Sequence, residues 1–428
     1  MRIGDNIMSQ SKKKIHYAWW VLLGLVVMVG AAKGGIATTG GLFLTPVTED
    51  LGIGMGSLTL YFSIASIVTM LSLPVAGKMI AKYNIRILLV VAVTLEAGAY
   101  AMFGFMNSVW GWYLFAIPMA MGSVIVTQLA GPVLINNWFK KHKGLALGIM
   151  VGAGGLIGAF LQPVAGNLIA SAGWRNTYIF LGVGVMAIVI PIVLLTIRKA
   201  PQQMGLQPYG MDEVKEDGAV NVQMTANSGV AATIAKKSSA FYFLVFFFFC
   251  ETSIAAFNQH VAPFAMGLGY DVKFAGNAMG SWSVGVVIGA LFFGYLSDKI
   301  GVKNTAITAM LLGLVPVGML LLVPDNPMIF KLATGLYGFV VASLGTLGPL
   351  LTTALFGNKE FSQIYGLAIT GLAIAGIVAL PIYGFIFQFT GSYTYVLYTI
   401  FIMLLLNVGA IVMAFKGKKK LEKAGLWN

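Results

Sequence analysis

Twelve apolar stretches, each long enough to cross a bilayer as a helix, constrain this chain more than any motif in it. A helix rises 1.5 Å per residue, so about 20 apolar residues span the roughly 30 Å hydrocarbon layer. That length predicts spans at 18–44, 57–80, 86–106, 109–135, 144–170, 175–197, 241–267, 274–296, 304–323, 328–356, 362–388 and 393–415. Only 10% of the residues are charged, against about 25% in a typical soluble domain, which argues against a soluble protein with a greasy core. Lipid offers no partner to a free backbone N–H, so such a chain closes its hydrogen bonds within helices. The expected fold is an all-α membrane protein.

Polarity divides the spans six and six. Segment 198–240 carries Arg198, Lys199, Asp212, Glu213, Lys215, Glu216, Asp217, Lys236 and Lys237 and reads as a cytoplasmic linker. The expected organisation is a cytoplasmic N-terminus 1–17, a six-helix bundle 18–197, the linker 198–240, a second six-helix bundle 241–415 and a basic cytoplasmic tail 416–428. With both termini inside, all but four of the 27 Lys and Arg residues fall on cytoplasmic segments; the exceptions are Lys33, Arg175, Lys273 and Lys331. Lysine and arginine favour cytoplasmic loops, so the net charge of +13 is explained without a nucleic-acid partner. The tail lysines Lys416, Lys418, Lys419, Lys420 and Lys423 then act as an anchor at the lipid surface. Lys12, Lys13 and Lys14 precede an apolar run too long for a cleaved signal, so the first helix is expected to stay. The heavy use of lysine over arginine points to a prokaryotic inner membrane. The single Cys250 excludes a disulfide within the chain.

Two charges stand where a bilayer penalises them. Lys33 and Glu251 sit in the middle of the first and seventh spans. A charge at that depth costs roughly 2.5–3.5 kcal/mol on insertion scales, so it usually faces a partner or a wet cavity. Three readings are open: a structural ion pair, an anion anchor (Lys33) with a proton-coupling acid (Glu251), or packing without a role. In the second, a substrate that engages Lys33 separates it from Glu251, and substrate and proton bind together.

An internal repeat relates the halves. Gly294-Tyr-Leu-Ser-Asp298-Lys299-Ile-Gly301-Val-Lys303 follows the eighth span, and Gly77-Lys-Met-Ile-Ala81-Lys82-Tyr-Asn84-Ile-Arg86 follows the second, 217 residues earlier. Glycine permits close helix packing, and Asp298 is suited to cap a helix or pair with a base. The pattern G-x-x-x-D-[RK]-x-G-x-[RK] resembles the signature loop of the major facilitator superfamily. The second copy fits fully; the first has Ala81 for the aspartate and Asn84 for the second glycine. The resemblance implies two pseudo-symmetric six-helix bundles, and Gly77, Gly294, Asp298, Lys299 and Gly301 as a conformational loop.

A branch within that superfamily is also suggested. Trp138-Phe-Lys140-Lys141-His142-Lys143-Gly144, with Gly148, Gly152, Gly154, Gly155 and Gly158 after it, is similar to the basic loop and glycine-rich helix of monocarboxylate porters and bacterial oxalate/formate antiporters. Pro201 through Gly210, Phe356-Gly357 through Tyr365-Gly366, and Thr390-Gly391-Ser-Tyr393 extend the similarity over nearly the whole chain. It implies secondary transport of small carboxylates. Two cations of that branch are missing, since Ala290 and Leu372 occupy their places, and Lys33 lies about five residues before the first-helix lysine of the animal porters. The glycines at 144, 148, 152 and 155 also read as a stripe for close helix packing.

The remaining polar residues within spans are candidates by position. First helices of the two halves are pseudo-equivalent, which places Lys33 and Glu251 at similar depth on opposite walls. Asn258 is seven residues after Glu251 and shares its helix face. Gln128, Asn258, Asn277, Trp282, Tyr337 and Thr370 are expected lining groups beside Lys33. Glu96 and His260 join Glu251 as proton-coupling candidates, with a structural hydrogen bond the simpler role for both. His16, His142 and His260 are scattered, and neither metal-ligand spacing nor a P-loop is present. No catalytic residue, metal or cofactor is expected. The expected partners are a small carboxylate, protons or a counter-substrate, and the lipid bilayer, around a monomer. A neutral or cationic solute held by Glu251 is the second transport reading, and a non-transporting membrane sensor the reading from another class.

Overall fold

The computed structural model describes residues 16–211 and 229–427. The lysines at 12–14 and the linker acids Asp212, Glu213, Glu216 and Asp217 lie outside them. Eleven segments are long and apolar enough to cross a membrane: Tyr17–Leu51 (α1), Met55–Lys82 (α2), Ile85–Phe105 (α3), Val109–Trp138 (α4), Leu145–Thr196, Ser239–Gly267 (α7), Val272–Ile300 (α8), Val302–Leu322 (α9), Pro327–Phe356 (α10), Gln363–Thr390 (α11) and Thr394–Lys423 (α12). The fifth segment, at 52 residues, is two crossings. Gly173 breaks it with φ 79°, a conformation open to glycine, giving α5 (143–172) and α6 (174–196). The twelve helices form two bundles of six.

Helix ends follow local chemistry. Asn84 begins α3 by accepting the Arg86 N–H at 3.0 Å, and Asp271 begins α8 by accepting that of Phe274 at 2.7 Å. Asn326 does the same for α10 through Met328 and Ile329. The two copies of the repeated turn differ for this reason. Gly301, at φ 78°, both ends α8 and starts α9. Asn84 is extended at φ −64°, so the first copy needs no glycine there and uses the position for a cap.

Several helices are broken at mid-span, where unpaired backbone is tolerated only if protein or a cavity satisfies it. α1 carries a π-helical segment, Ala31–Ala37, and α4 another, Val124–Leu129. α7 tightens to a 3-10 turn at Phe257–His260, α10 breaks at Ala342, and α11 at Ile369.

The halves meet away from the termini. α2 and α11 are joined by Gly56 N–H donating to Gln388 Oε1 (3.0 Å), by the Ser63 hydroxyl on the Ile377 carbonyl, and by Ser66 on that of Gly376 (3.0 Å). α5 and α8 touch through glycine: a Cβ on Gly276 would stand 2.7 Å from the Gln162 carbonyl and 3.2 Å from the Gly166 Cα. Beside them Ser283 donates to Gln162 Oε1 (3.0 Å), and Gln162 Nε2 to the Thr38 carbonyl (3.2 Å). Toward the termini Gly77, Gly148, Gly152, Gly345 and Gly366 face open space. The expected packing stripe is therefore corrected: Gly148 and Gly152 pack on no described residue, whereas Gly154 and Gly158 approach α1 and Gly155 approaches Val287 of α8.

The described ends of the linker are pinned at equivalent places. Tyr209 bridges Phe139, donating to the Trp138 carbonyl (2.8 Å), and Val230 donates to the Phe356 carbonyl (2.8 Å) beside a Gly229–Gly357 bridge. Phe139 and Phe356 are separated by the same 217 residues as the repeated turn. Two stretches singled out in the sequence, 138–143 and 201–210, thus hold each other.

Candidate functional site

Lys33 lies within the π-helical segment of α1, and its side chain is exposed although the residue stands mid-span. Small neighbours make the room. A Cβ on Gly154 of α5 would stand 2.9 Å from Lys33 Cδ and 3.3 Å from its Cβ, so the lysine stem lies along that glycine. The Lys33 ammonium makes no ion pair or hydrogen bond with a described residue. Ala290 and Leu372, where the related porters carry cations, are exposed and apolar.

Glu251 is placed differently from the expectation of two facing charges. It is 1% exposed and buried inside the second bundle, where Ser343, just past the break of α10, donates to Oε1 at 3.3 Å. It forms no ion pair with Lys33. The sequence offset equates positions along the chain, not the directions of side chains, and the π-helical segment of α1 has no counterpart in α7. Trp282 and Tyr337 are also corrected as wall residues. They are 4% and 2% exposed, stacked on each other at 4.6 Å, and Tyr337 donates to the Ile254 carbonyl.

His260 is fully buried between helices. Nε2 faces the Leu380 carbonyl and Nδ1 the Tyr393 hydroxyl, both at 3.0 Å. A carbonyl only accepts, so Nε2 carries the proton and Nδ1 accepts from Tyr393. This is the structural role, tying α7 to α11 and α12, and it leaves no nitrogen for a relay. Replacing His260 with Phe is expected to cost about 1–3 kcal/mol, the penalty for stranding a buried partner. A lowered unfolding temperature of the purified protein checks it; an unchanged one returns His260 to the relay candidates.

The other candidates scatter. Gln128 is exposed within the π-helical segment of α4. Asn258 is half-buried, with Oδ1 buried and unpartnered. Asn277 shares an exposed stripe with Val284, Ile288 and Leu291, opposite the residues α8 turns to its neighbours, which sets it on the outer surface rather than on a binding wall. Thr370 is exposed and returns its hydroxyl to the Leu367 carbonyl (2.8 Å). Asp298 is exposed and pairs with no described residue in this conformation, contrary to the expected cap or ion pair, while Lys299 lies over the Tyr295 ring at 5.6 Å. Glu96 is 2% exposed and, with Ser123, borders a cavity between α1, α2, α3 and α4.

Sequence reasoning missed Gln162, Ser283, Ser343 and Gln259. Gln259 donates from Nε2 to the Ala37 carbonyl across the halves (2.8 Å). An uncharged polar residue in an apolar helix gives little signal until its partner is known. No group of three metal-binding side chains occurs among the described residues.

Comparison with known proteins agrees with the architecture. The chain is 24% identical over 367 residues to the uncharacterized MFS-type transporter YhjX of Escherichia coli, covering 84% of this chain and 86% of that one. It is 24% identical to the oxalate:formate antiporter of Oxalobacter formigenes, covering 84% and 82%, and 23% identical to mouse monocarboxylate transporter 12, covering 61% and 57%. Among solved structures it superposes on a bacterial homolog of the human lysosomal transporter Spinster, inward-facing and unoccupied, with a TM-score of 0.71 at 15% identity, covering 96% and 99%. The nucleoside transporter NupG gives a TM-score of 0.69 at 13% identity, covering 94% and 98%. The Major Facilitator Superfamily profile matches residues 21–279 and 241–425, and the chain belongs to that family of membrane transporters.

Proposed function

We propose that this protein is a secondary transporter of a small organic anion, with monocarboxylates the leading class, working by alternating access with Lys33 as the anchor for the anion. One observation carries this reading: an exposed lysine at mid-span whose ammonium has no partner among the described residues. An unpaired charge at that depth is costly and is retained where it meets a ligand. Two relatives named for oxalate and formate and for monocarboxylates support the substrate class. Contacts gathered on one side, with glycines facing open space on the other, support a carrier caught open toward its termini. The distribution of lysine and arginine supports placing that side in the cytoplasm, of a prokaryotic inner membrane.

A neutral or cationic solute held by Glu251 is less favoured, because that carboxyl is buried and already bonded to Ser343. A panel of small carboxylates, amines and neutral solutes in a thermal-shift assay on purified protein tests the reading. Ligand at 100 times its Kd adds about 2.7 kcal/mol of stability by mass action. Carboxylates are expected to stabilise; stabilisation by amines alone overturns the anion reading.

A further inference from the structure

The first bundle holds a buried acid for which anion binding at Lys33 has no use. Glu96 borders a cavity of about 100 Å³ whose walls also include Ala37 and Gly40 of α1, Tyr61 and Thr69 of α2, and Ser123 of α4. One water needs about 10–15 Å³ on this measure, so the space takes several. Its polar groups are hydroxyls. Ser123 shares the cavity with the carboxyl, Tyr100 shares a 2.8 Å hydrogen bond with Thr39, and the Tyr61 hydroxyl makes no hydrogen bond with a described residue. A methyl on Gly40 would lie 3.3 Å from both the Tyr61 hydroxyl and Gln259 Oε1. Gln259 Oε1 is buried without a partner among the described residues, an acceptor that a water in the cavity would satisfy.

We infer that Glu96 carries the coupling proton of this transporter and that the cavity beside it is the water-filled site through which that proton exchanges. The inference rests on the anion-transport reading and supplies its coupling ion. Ala37 borders the cavity and stands four residues after Lys33 in the same π-helical segment, so α1 links the anion anchor to the wall of the acid's cavity. An anion on Lys33 is repelled by a carboxylate in the same bundle and not by the protonated acid. Loading therefore takes up one proton from water with one anion, and both leave on the other side. The ionisable groups that share the cavity with Glu96 are phenols, Tyr61 from α2 and Tyr100 from α3 itself, and Tyr178 of α6 packs behind them with its ring 4.9 Å from that of Tyr100. α4 contributes Ser123 and α1 Thr39, and no lysine, arginine or histidine among the described residues borders the cavity.

Infrared difference spectra of purified protein between two pH values test this without a substrate. A titrating carboxyl band is expected in the wild-type protein and in Glu251→Gln, and is expected to be missing in Glu96→Gln. A band that survives Glu96→Gln and disappears in Glu251→Gln overturns the assignment. In proteoliposomes, the ratio of pH-gradient-driven uptake to exchange of a stabilising carboxylate is expected to fall at least tenfold in Glu96→Gln; an unchanged ratio overturns it. If no carboxylate stabilises the protein, it is the anion reading that has failed, and the infrared spectra still decide whether Glu96 titrates.

Discussion

A leucine at position 276 is expected to reduce transport about a hundredfold and to open the side that is closed here. A Cβ alone at Gly276 would stand 2.7 Å from the Gln162 carbonyl, 3.2 Å from the Gly166 Cα and 3.3 Å from the Pro163 Cα. These are backbone and ring atoms, so α5 and α8 must separate. Overpacking a tight contact costs about 1–3 kcal/mol, or roughly 5- to 150-fold in the population of this conformation. A carrier working by alternating access needs both conformations, so the shift appears as lost turnover. Leucine at Gly152 is expected to act in the reverse sense. No described residue lies within 4 Å of its Cβ position here, so it is tolerated in this conformation and obstructs closure toward the termini. Spin labels at Glu49 and Thr390, both exposed on the closed side, report the difference. Their distance is expected to lengthen in Gly276→Leu and to stay short in Gly152→Leu. A short distance in both removes the wedge.

The fold was legible because a bilayer turns length and polarity into geometry. Twelve apolar runs with a polar break after the sixth leave few architectures, and the repeated turn at Gly77 and Gly294 relates their halves. Gly173 shows the same legibility at one residue: the boundary between the fifth and sixth spans was placed by composition, and a left-handed glycine turns the chain there. The site was legible only in part. Lys33 was visible because a charge is conspicuous among apolar residues, and its exposure follows from Gly154, a neighbour 121 positions away. Glu251 was equally conspicuous, but its direction depends on Ser343 and on the break of α10. Helical spacing places residues on faces, and Asn277 shows its limit. The apolar neighbours on its stripe, Val284, Ile288 and Leu291, were the signal that this face is turned outward.

Removing the ammonium, Lys33→Ala, is expected to abolish stabilisation by carboxylates while leaving the unfolding temperature of the free protein unchanged. The two halves of that result exclude different alternatives. A structural ion pair would make the variant less stable, because breaking a buried pair costs about 3–5 kcal/mol. Lys33 has no partner among the described residues, so its loss should stay within about 0.5 kcal/mol, as at an exposed position. Binding is a separate matter. An anion left without its countercharge at mid-span loses about 3–5 kcal/mol, roughly 150- to 5000-fold in Kd. Valine at Gly154 separates charge from position. It keeps the lysine but occupies the space along its stem, where even a Cβ would stand 2.9 Å from Lys33 Cδ. The displaced ammonium is expected to bind carboxylates more weakly than in the wild-type protein and more tightly than Lys33→Ala allows. Equal losses in the two variants would mean that the placement of Lys33 along Gly154 matters as much as its charge. Wild-type affinity in Lys33→Ala would remove Lys33 from the site.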